Sequence, residues 1–510
     1  MRTLVIGAGS AGSVIASRLT EDERHEVVLI EAGPDYPDAA ENPEVLPKPL
    51  RNGLKNAHYG HDWKYVYRAT DHKFWSAIPM GFPRGRVVGG SSAVNTCIAL
   101  RGMPYDYDEW ADLGLTEWSW AQCLPYFKKL ETDLDFDNEW HGKTGPIPIR
   151  RHPPSELVPW QAAFIEGCRE LGFPYCPDNN DPTTTGVGPH AMNKIDGQRI
   201  SAARAYLPAK VRARKNLTIM ADSIVRRVIF HDRRAQGVEL ERHGRVRDVL
   251  GDRVVLCGGA IATPGILLRS GIGPASELAR LGIEKVYDVP GVGAHVLDHP
   301  GVAIFFKTKH EGLSRTDHPL VQTLCRWRSA DAMGENDMQL QAGSFIPLPG
   351  ISLRAVTIAA VVGKAVSRGR IRFPSARAVD APRIDSALLS DERDVVKIRE
   401  AFRWLGKLSK TKAISSLATL VYPRKEPFDA AGEFTGPIQQ ITGSGYHPCG
   451  TVPMGLDSDP MAATDGRGRV RGVSGLYVAD ASLMPTIPSA NTNLPTLMIG
   501  ERFGDWLREE

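Results

Sequence analysis

The apolar positions of this chain fall into short runs separated by glycine- and proline-rich turns. Leu4, Val5 and Ile6 form the first run and read as a buried strand. Glycines at Gly7, Gly9 and Gly12 follow, then a helix-like stretch from about Ser10 to Leu19. A second run, EVVLIEAG, passes through Glu31 and Ala32. From Leu217 to Leu256, alternating runs read as strands joined by turns. VAIFFKTK (302–309) and LRAVTIAAVV (353–362) read as further strands. Residues 391–411 have helical spacing, with Val395, Val396, Ile398, Phe402, Leu405 and Leu408 along one side. RHPPSELVP (151–159) reads as an exposed connection and DNNDPTTTGVGP (178–189) as a turn-rich stretch. The stretch 258–274 reads as a strand end, a helix opening at Thr263-Pro264 and a Gly-Ile-Gly-Pro stop. Strands and helices in this alternation predict an α/β protein.

The opening pattern carries chemistry. In a strand–turn–helix unit, Gly7 permits the tight turn, Gly9 admits a phosphate against bare backbone, and Gly12 lets helix and strand pack closely. The helix aims free N–H groups at the pyrophosphate of a dinucleotide. Glu31 lies about 20 residues beyond the last glycine, where a carboxylate reaches ribose hydroxyls. This pattern leaves NAD and FAD both open. Composition changes the picture little. The 510 residues suffice for two or three domains, and a net charge of +3 gives no reason to expect a nucleic-acid partner. Seven scattered cysteines without a Cys-x-x-Cys pair fit reduced thiols in a cytoplasm. The first strand begins at about Thr3, which leaves no room for a signal peptide, and no apolar run approaches a membrane span.

Four further stretches complete the pattern: RGRVVGGSSAVNTCIALRG (84–102), the 258–274 stretch, GSGYHPCGTVPMG (443–455), and GLYVADASLMPTIPSANTNLPTLMIGERFGDWL (475–507). Each alone has a bland explanation; His447, for one, would be a satisfied structural histidine. In this order they resemble the glucose–methanol–choline (GMC) oxidoreductase family, over nearly the whole chain. GYHPCGT and NTNLPT draw the likeness toward bacterial hydroxymethylfurfural-oxidase and choline-dehydrogenase types.

The resemblance implies FAD as the dinucleotide. It implies a Rossmann-like FAD domain with a parallel sheet (1–155, 195–300 and 441–510), and an α+β substrate domain with a mainly antiparallel sheet (156–194 and 301–440). The family's catalytic histidine falls on His447 and its second active-site residue on Asn491, with Asn493 as the competing assignment. Family FAD contacts carry over to Gly7, Gly9, Ser10, Ala11 and Gly12, to Glu31 and Ala32, and to Trp63. They also carry over to Val88, Gly90, Ser91, Asn95, Thr96, Cys97 and Ile98, to Val225 and Tyr446, and to Asp480, Ala481, Asn491 and Thr492. Where some members link FAD covalently through a histidine, this chain has Val94, so the resemblance implies dissociable FAD. The middle region, 310–345, is shorter than in many members. The implied reaction is oxidation of a primary alcohol, aromatic and furanic ones included, to an aldehyde. Electrons then pass to oxygen or another acceptor. Lyase or decarboxylase chemistry on the same scaffold, and FAD or NAD binding without turnover, are the alternatives. Arg84 and Arg86 could neutralise phosphate or lie in a solvated loop. His58 and His61 lack a third ligand at a recognisable spacing, so no metal is expected.

Overall fold

The computed structural model describes residues 1–57, 60–70, 78–332, 334–346, 353–423 and 438–510. Its first layer is a five-stranded parallel sheet. The strand order is Leu217–Met220, Glu26–Ile30, Arg2–Ile6, Arg253–Leu256, Leu476–Val478. Strands covered on both faces have no polar side to show, which is why their sequences read as unbroken apolar runs. Chain order reverses beside Arg2–Ile6: Glu26–Ile30 pairs on one side and Arg253–Leu256 on the other. A crevice therefore opens at the carboxyl end of the first strand, at Gly7.

The second layer is a seven-stranded antiparallel sheet. Its path runs Ala418–Tyr422, Pro300–Thr308, Ala355–Val362, Met338–Gly343, Thr323–Trp327, Gly186–Pro189, with Gly443–Ser444 pairing beside Pro300–Thr308. Ala355–Val362 alternates between half-buried and buried positions. Val356, Ile358, Ala360 and Val362 join Ile304 and Phe306 on the core face. Helices Pro159–Glu170 and Glu392–Lys410 cover that face; Trp160 meets Phe306 edge-on, with ring centroids 5.3 Å apart. The other face carries Gly301, Ala303, Phe305, Ala359 and Gln341, and these side chains share one cavity with residues at the ends of the parallel strands. A separate three-stranded antiparallel sheet occupies 223–250. The fold is mixed α/β, with one parallel and one mainly antiparallel sheet.

The last helix, Asn493–Glu509, lies against the first, Ser10–Leu19. Gly500 permits the contact, since a Cβ there would stand 3.0 Å from the Ala11 backbone. Ser10 and Asn493 hydrogen-bond at 2.7 Å, so the amino ends of the two helices converge on the crevice.

Several expectations need correction. Val396 is exposed: it follows Val395 by about 100° around the helix, which carries it off the stripe formed by Val395, Ile398, Phe402 and Leu405. Arg151 and His152 are buried, because Arg151 is bound by Asp133 and Asp178. Within 178–189, Asp178–Asn180 are buried and Gly186–Pro189 forms an edge strand beside Thr323–Trp327. The helix in 258–274 begins at Gly259, not at Thr263-Pro264. Pro264 cannot donate to the Ala260 carbonyl, and the Thr451 hydroxyl does so instead, at 2.6 Å.

Candidate active site

Between the two sheets lies a cavity of about 900 Å³, large enough for a sizeable cofactor together with a substrate. One end is the glycine turn. Gly7 has φ +106°, and a Cβ on Gly12 would collide with the Gly7 carbonyl at 1.9 Å. A Cβ on Gly9 would meet nothing closer than the Gly90 Cα at 3.9 Å and would occupy the cavity itself. Gly90, with φ +52°, faces it so closely that its own Cβ would lie 2.7 Å from the Gly9 Cα. Two bare backbone turns thus form a cradle suited to a pyrophosphate. Glu31 lines the cavity and accepts from the Ala8 and Gly33 N–H groups at 3.0 and 2.9 Å; burial raises its pKa to about 7.

The other end is built by the 443–449 segment, which runs antiparallel beside 297–301. Leu297 and Cys449 exchange backbone bonds at 3.0 Å, and Gly445 N–H donates to the His299 carbonyl at 2.7 Å. The buried Asp298 carboxylate organises the turn. It accepts from the backbone N–H groups of His299 (2.8 Å) and His447 (2.9 Å) and from the Ser444 hydroxyl. Burial raises its pKa to about 6, against these donors.

His447 Nε2 lies 2.8 Å from Asn491 Nδ2, and His447 Nδ1 lies 2.9 Å from His299 Nδ1. His299 Nε2 is 3.0 Å from the Pro488 carbonyl oxygen, which can only accept. His299 therefore carries its proton on Nε2 and presents a lone pair at Nδ1, because burial lowers its pKa to about 4 and keeps it neutral. His447 must then donate from Nδ1. Its Nε2 is left as a free base, accepting from the Asn491 amide. Burial, first, and the neighbouring His299 and Arg84 push the pKa of His447 well below that of a free imidazole. Arg84, half-buried, donates to the Tyr446 carbonyl at 2.7 Å and stacks on Phe82; desolvation lowers its pKa to about 10. Tyr446 is held at φ +65°. Two polar atoms of cavity-lining residues, Asn491 Oδ1 beside His447 and Asn493 Nδ2 beside Ser10, are buried with no partner among the described residues. Together with the glycine cradle they fit a large polar cofactor.

Two family models, each described as GMC oxidoreductase, match residues 1–301 and 365–500. The chain belongs to the GMC oxidoreductase family. Its members are flavoproteins, and this one is an oxidoreductase. It is 33% identical to a 5-(hydroxymethyl)furfural oxidase of Methylovorus sp. (strain MP688), over 98% of this chain and 97% of the relative. It is 34% identical to an oxygen-dependent choline dehydrogenase of Chromohalobacter salexigens, over 99% and 94%. Among solved structures, pyridoxine 4-oxidase from Mesorbium loti superposes with TM-score 0.90 at 29% identity, covering 100% of this chain and 99% of that one.

Nearly every site residue carried over from the GMC resemblance lines the cavity, His447 and Asn491 included. Gly12, Val88 and Cys97 do not. Gly12 packs helix against strand. Val88 is buried behind the Gly89–Gly90 turn, its N–H donating to the Pro34 carbonyl. Cys97, at φ +63°, turns its thiol to Arg199. Asp480 lines the cavity and also caps the 259–269 helix, accepting from Gly259 N–H (2.8 Å) and the Thr263 hydroxyl (2.6 Å). Arg84 lines the cavity, whereas Arg86 donates to the Ala32 carbonyl and stacks over Trp63. His58 lies outside the described residues; His61 Nε2 pairs with the Tyr36 hydroxyl at 2.7 Å. His299 and Asp298 are the residues that sequence reasoning missed. Among the described residues, no helix is long and apolar enough to cross a membrane.

Proposed function

We propose that the protein oxidises a primary alcohol to an aldehyde, with His447 as the base, Asn491 as its partner on the substrate oxygen, and FAD bound without a covalent link. What supports this reading above all is the unprotonated Nε2 of His447, its tautomer set by the His299–Pro488 chain and its lone pair turned to the Asn491 amide at the cavity wall, where a substrate hydroxyl can take it up. An alcohol carbon gives up hydride only as its hydroxyl proton leaves, and a neutral imidazole takes that proton. The Asn491 amide, 2.8 Å from the same nitrogen, donates to the substrate oxygen and steadies the charge that develops there. When bound, FAD supplies the hydride acceptor. His447 then holds the proton on Nε2 until electrons pass to oxygen or another acceptor.

The segments proposed for the FAD domain carry all five strands of the parallel sheet. Those proposed for the substrate domain carry nearly all of the antiparallel one. Seven buried free cysteines support a cytoplasmic location, which fractionation of cells would test. The side chain at the covalent-link position is Val94, aliphatic and buried beside the cavity. Acid precipitation is therefore expected to release the yellow colour into the supernatant; colour retained in the pellet would refute non-covalent binding.

The deciding experiment is anaerobic. An alcohol such as benzyl alcohol bleaches the flavin of the wild-type holoenzyme. His447→Ala keeps its FAD spectrum and slows bleaching by about 10²–10⁴-fold. An undiminished rate in that variant would remove His447 from the mechanism. Bleaching by no alcohol would remove the reaction.

A further inference from the structure

The cavity face of the antiparallel sheet forms rows of side chains that recede from the base. Register places Gly301, Val361 and Gln339 in one row, Ala303, Ala359 and Gln341 in the next, and Phe305 and Thr357 in a third. All of them line the cavity. The first row is next to the base, since Gly301 pairs with Gly443 and Gln339 Nε2 donates to the Ser489 carbonyl at 3.1 Å. Each further row lies about 6–7 Å along the strands.

The two glutamines form an oriented pair. The Ser489 carbonyl only accepts, so Gln339 turns its amide nitrogen to it and its Oε1 away. Gln341 Nε2 donates to that Oε1 at 3.2 Å. The Gln341 carbonyl oxygen is thereby left without a partner among the described residues, an acceptor offered by the second row. Beside it, Ala303 and Ala359 leave width for a flat body, and Phe305 and Tyr422 meet edge-on at 5.9 Å in the row beyond. No row carries a charge. The charged groups beside His447 are Arg84, a cation on the cavity wall, and the Asp298 carboxylate, which is buried behind the turn and taken up by the His299 and His447 N–H groups and the Ser444 hydroxyl. A trimethylammonium group needs a carboxylate or an aromatic cage; these rows hold no carboxylate, and their only rings are the edge-on Phe305–Tyr422 pair, with none in the two rows nearer the base. A carboxylate beside the Gln341 oxygen would meet a like partial charge.

Resting on the alcohol-oxidase reading, we infer that Gln341, oriented by Gln339, selects an uncharged ring-bearing alcohol with a second hydrogen-bond donor. A hydroxymethyl group across the ring from the reacting carbon supplies that donor. Choline and carboxylate-bearing alcohols are disfavoured.

The test is anaerobic flavin reduction of the holoenzyme by 1,4-benzenedimethanol, 4-methylbenzyl alcohol and choline. The diol is expected to exceed its methyl analogue about tenfold in kcat/KM, well beyond the factor of two for its two equivalent ends. Choline falls below both. Gln341→Leu brings diol and analogue within about twofold of each other. Equal rates for the two aromatic alcohols in the wild type, a preference unchanged in Gln341→Leu, or choline as the fastest substrate would each overturn the inference while leaving alcohol oxidation intact. Bleaching by none of the alcohols tried would overturn both. The wild-type ratio decides even if the variant fails to fold.

Discussion

At the scale of single residues, the site depends on where one proton sits. His447 works as a base only while neutral, and burial holds its pKa well below that of a free imidazole. Flavin reduction at low alcohol concentration is therefore expected to be flat from about pH 6.5 upward and to fall only in more acidic solution. A profile that still rises through pH 7 would show an imidazole of ordinary basicity and contradict the buried geometry. His299 sets the tautomer. In His299→Leu the His447 Nδ1–H loses its acceptor and the ring its fixed direction, and the reduction rate falls by about 10²-fold. The partnership was not legible in the sequence. His-Pro occurs at 152–153, 299–300, 318–319 and 447–448, and no spacing marks which two meet. Asn491 and His447 were legible only through family likeness, since nothing local distinguishes Asn491 from Asn493.

At the scale of elements, legibility follows the range of the forces involved. The parallel strands and the glycine turn depend on contiguous residues and could be read directly. The helix Gly259–Arg269 could not, because its start depends on a bond from 191 residues away. Pro264 interrupts the helical ladder, and the Thr451 hydroxyl closes the gap at the Ala260 carbonyl. Thr451→Val keeps the shape and removes the donor. It leaves a buried carbonyl unpaired, at about 1–3 kcal/mol. Urea unfolding should show that loss, and an unchanged midpoint would mean that the helix closes without Thr451. The same residue ties the 443–455 segment to the helix that Asp480 caps, so part of the weakening should appear as looser FAD binding. The edge strand Gly186–Pro189 was equally hidden. Its pairing to Thr323–Trp327 comes from the far side of the chain, and its glycines read as a turn.

At the scale of the whole molecule, a buried charge network joins segments that sequence reading kept apart. Arg101 binds Glu131 at 2.8 Å, and Arg151 binds Asp133 and Asp178 at 2.9 and 2.5 Å. His141 reaches Glu131 (3.1 Å), Asp133 (3.0 Å) and Asp178 (2.7 Å). Glu131, Asp133 and His141 could offer ligand atoms to a metal, but the two guanidinium groups already sit on these carboxylates. A fourth carboxylate, the exposed Asp135, reaches Arg151 at 3.4 Å from the solvent side; the three buried ones against two guanidinium groups balance only if His141 is protonated. Despite burial, its hydrogen bonds to the three acids raise its pKa to about 10. The network lies behind the cavity loop: Asn180 donates to the Ala99 carbonyl and accepts from Arg101 N–H, just after Asn95–Ile98. Removing the imidazolium in His141→Gln strands a negative charge in the interior, at about 3–5 kcal/mol. The sign of the pH dependence follows from the raised pKa. The stabilisation is fully present below the unfolded-state value of about 6.5 and is lost as pH climbs through about 10. The gap in unfolding free energy between wild type and His141→Gln is therefore expected to be widest near pH 6 and to narrow steadily toward pH 10. Denaturant titrations at both pH values measure it. A gap that stayed constant would mean that His141 contributes shape and hydrogen bonds but no charge, and that the acids around it are balanced by the arginines alone.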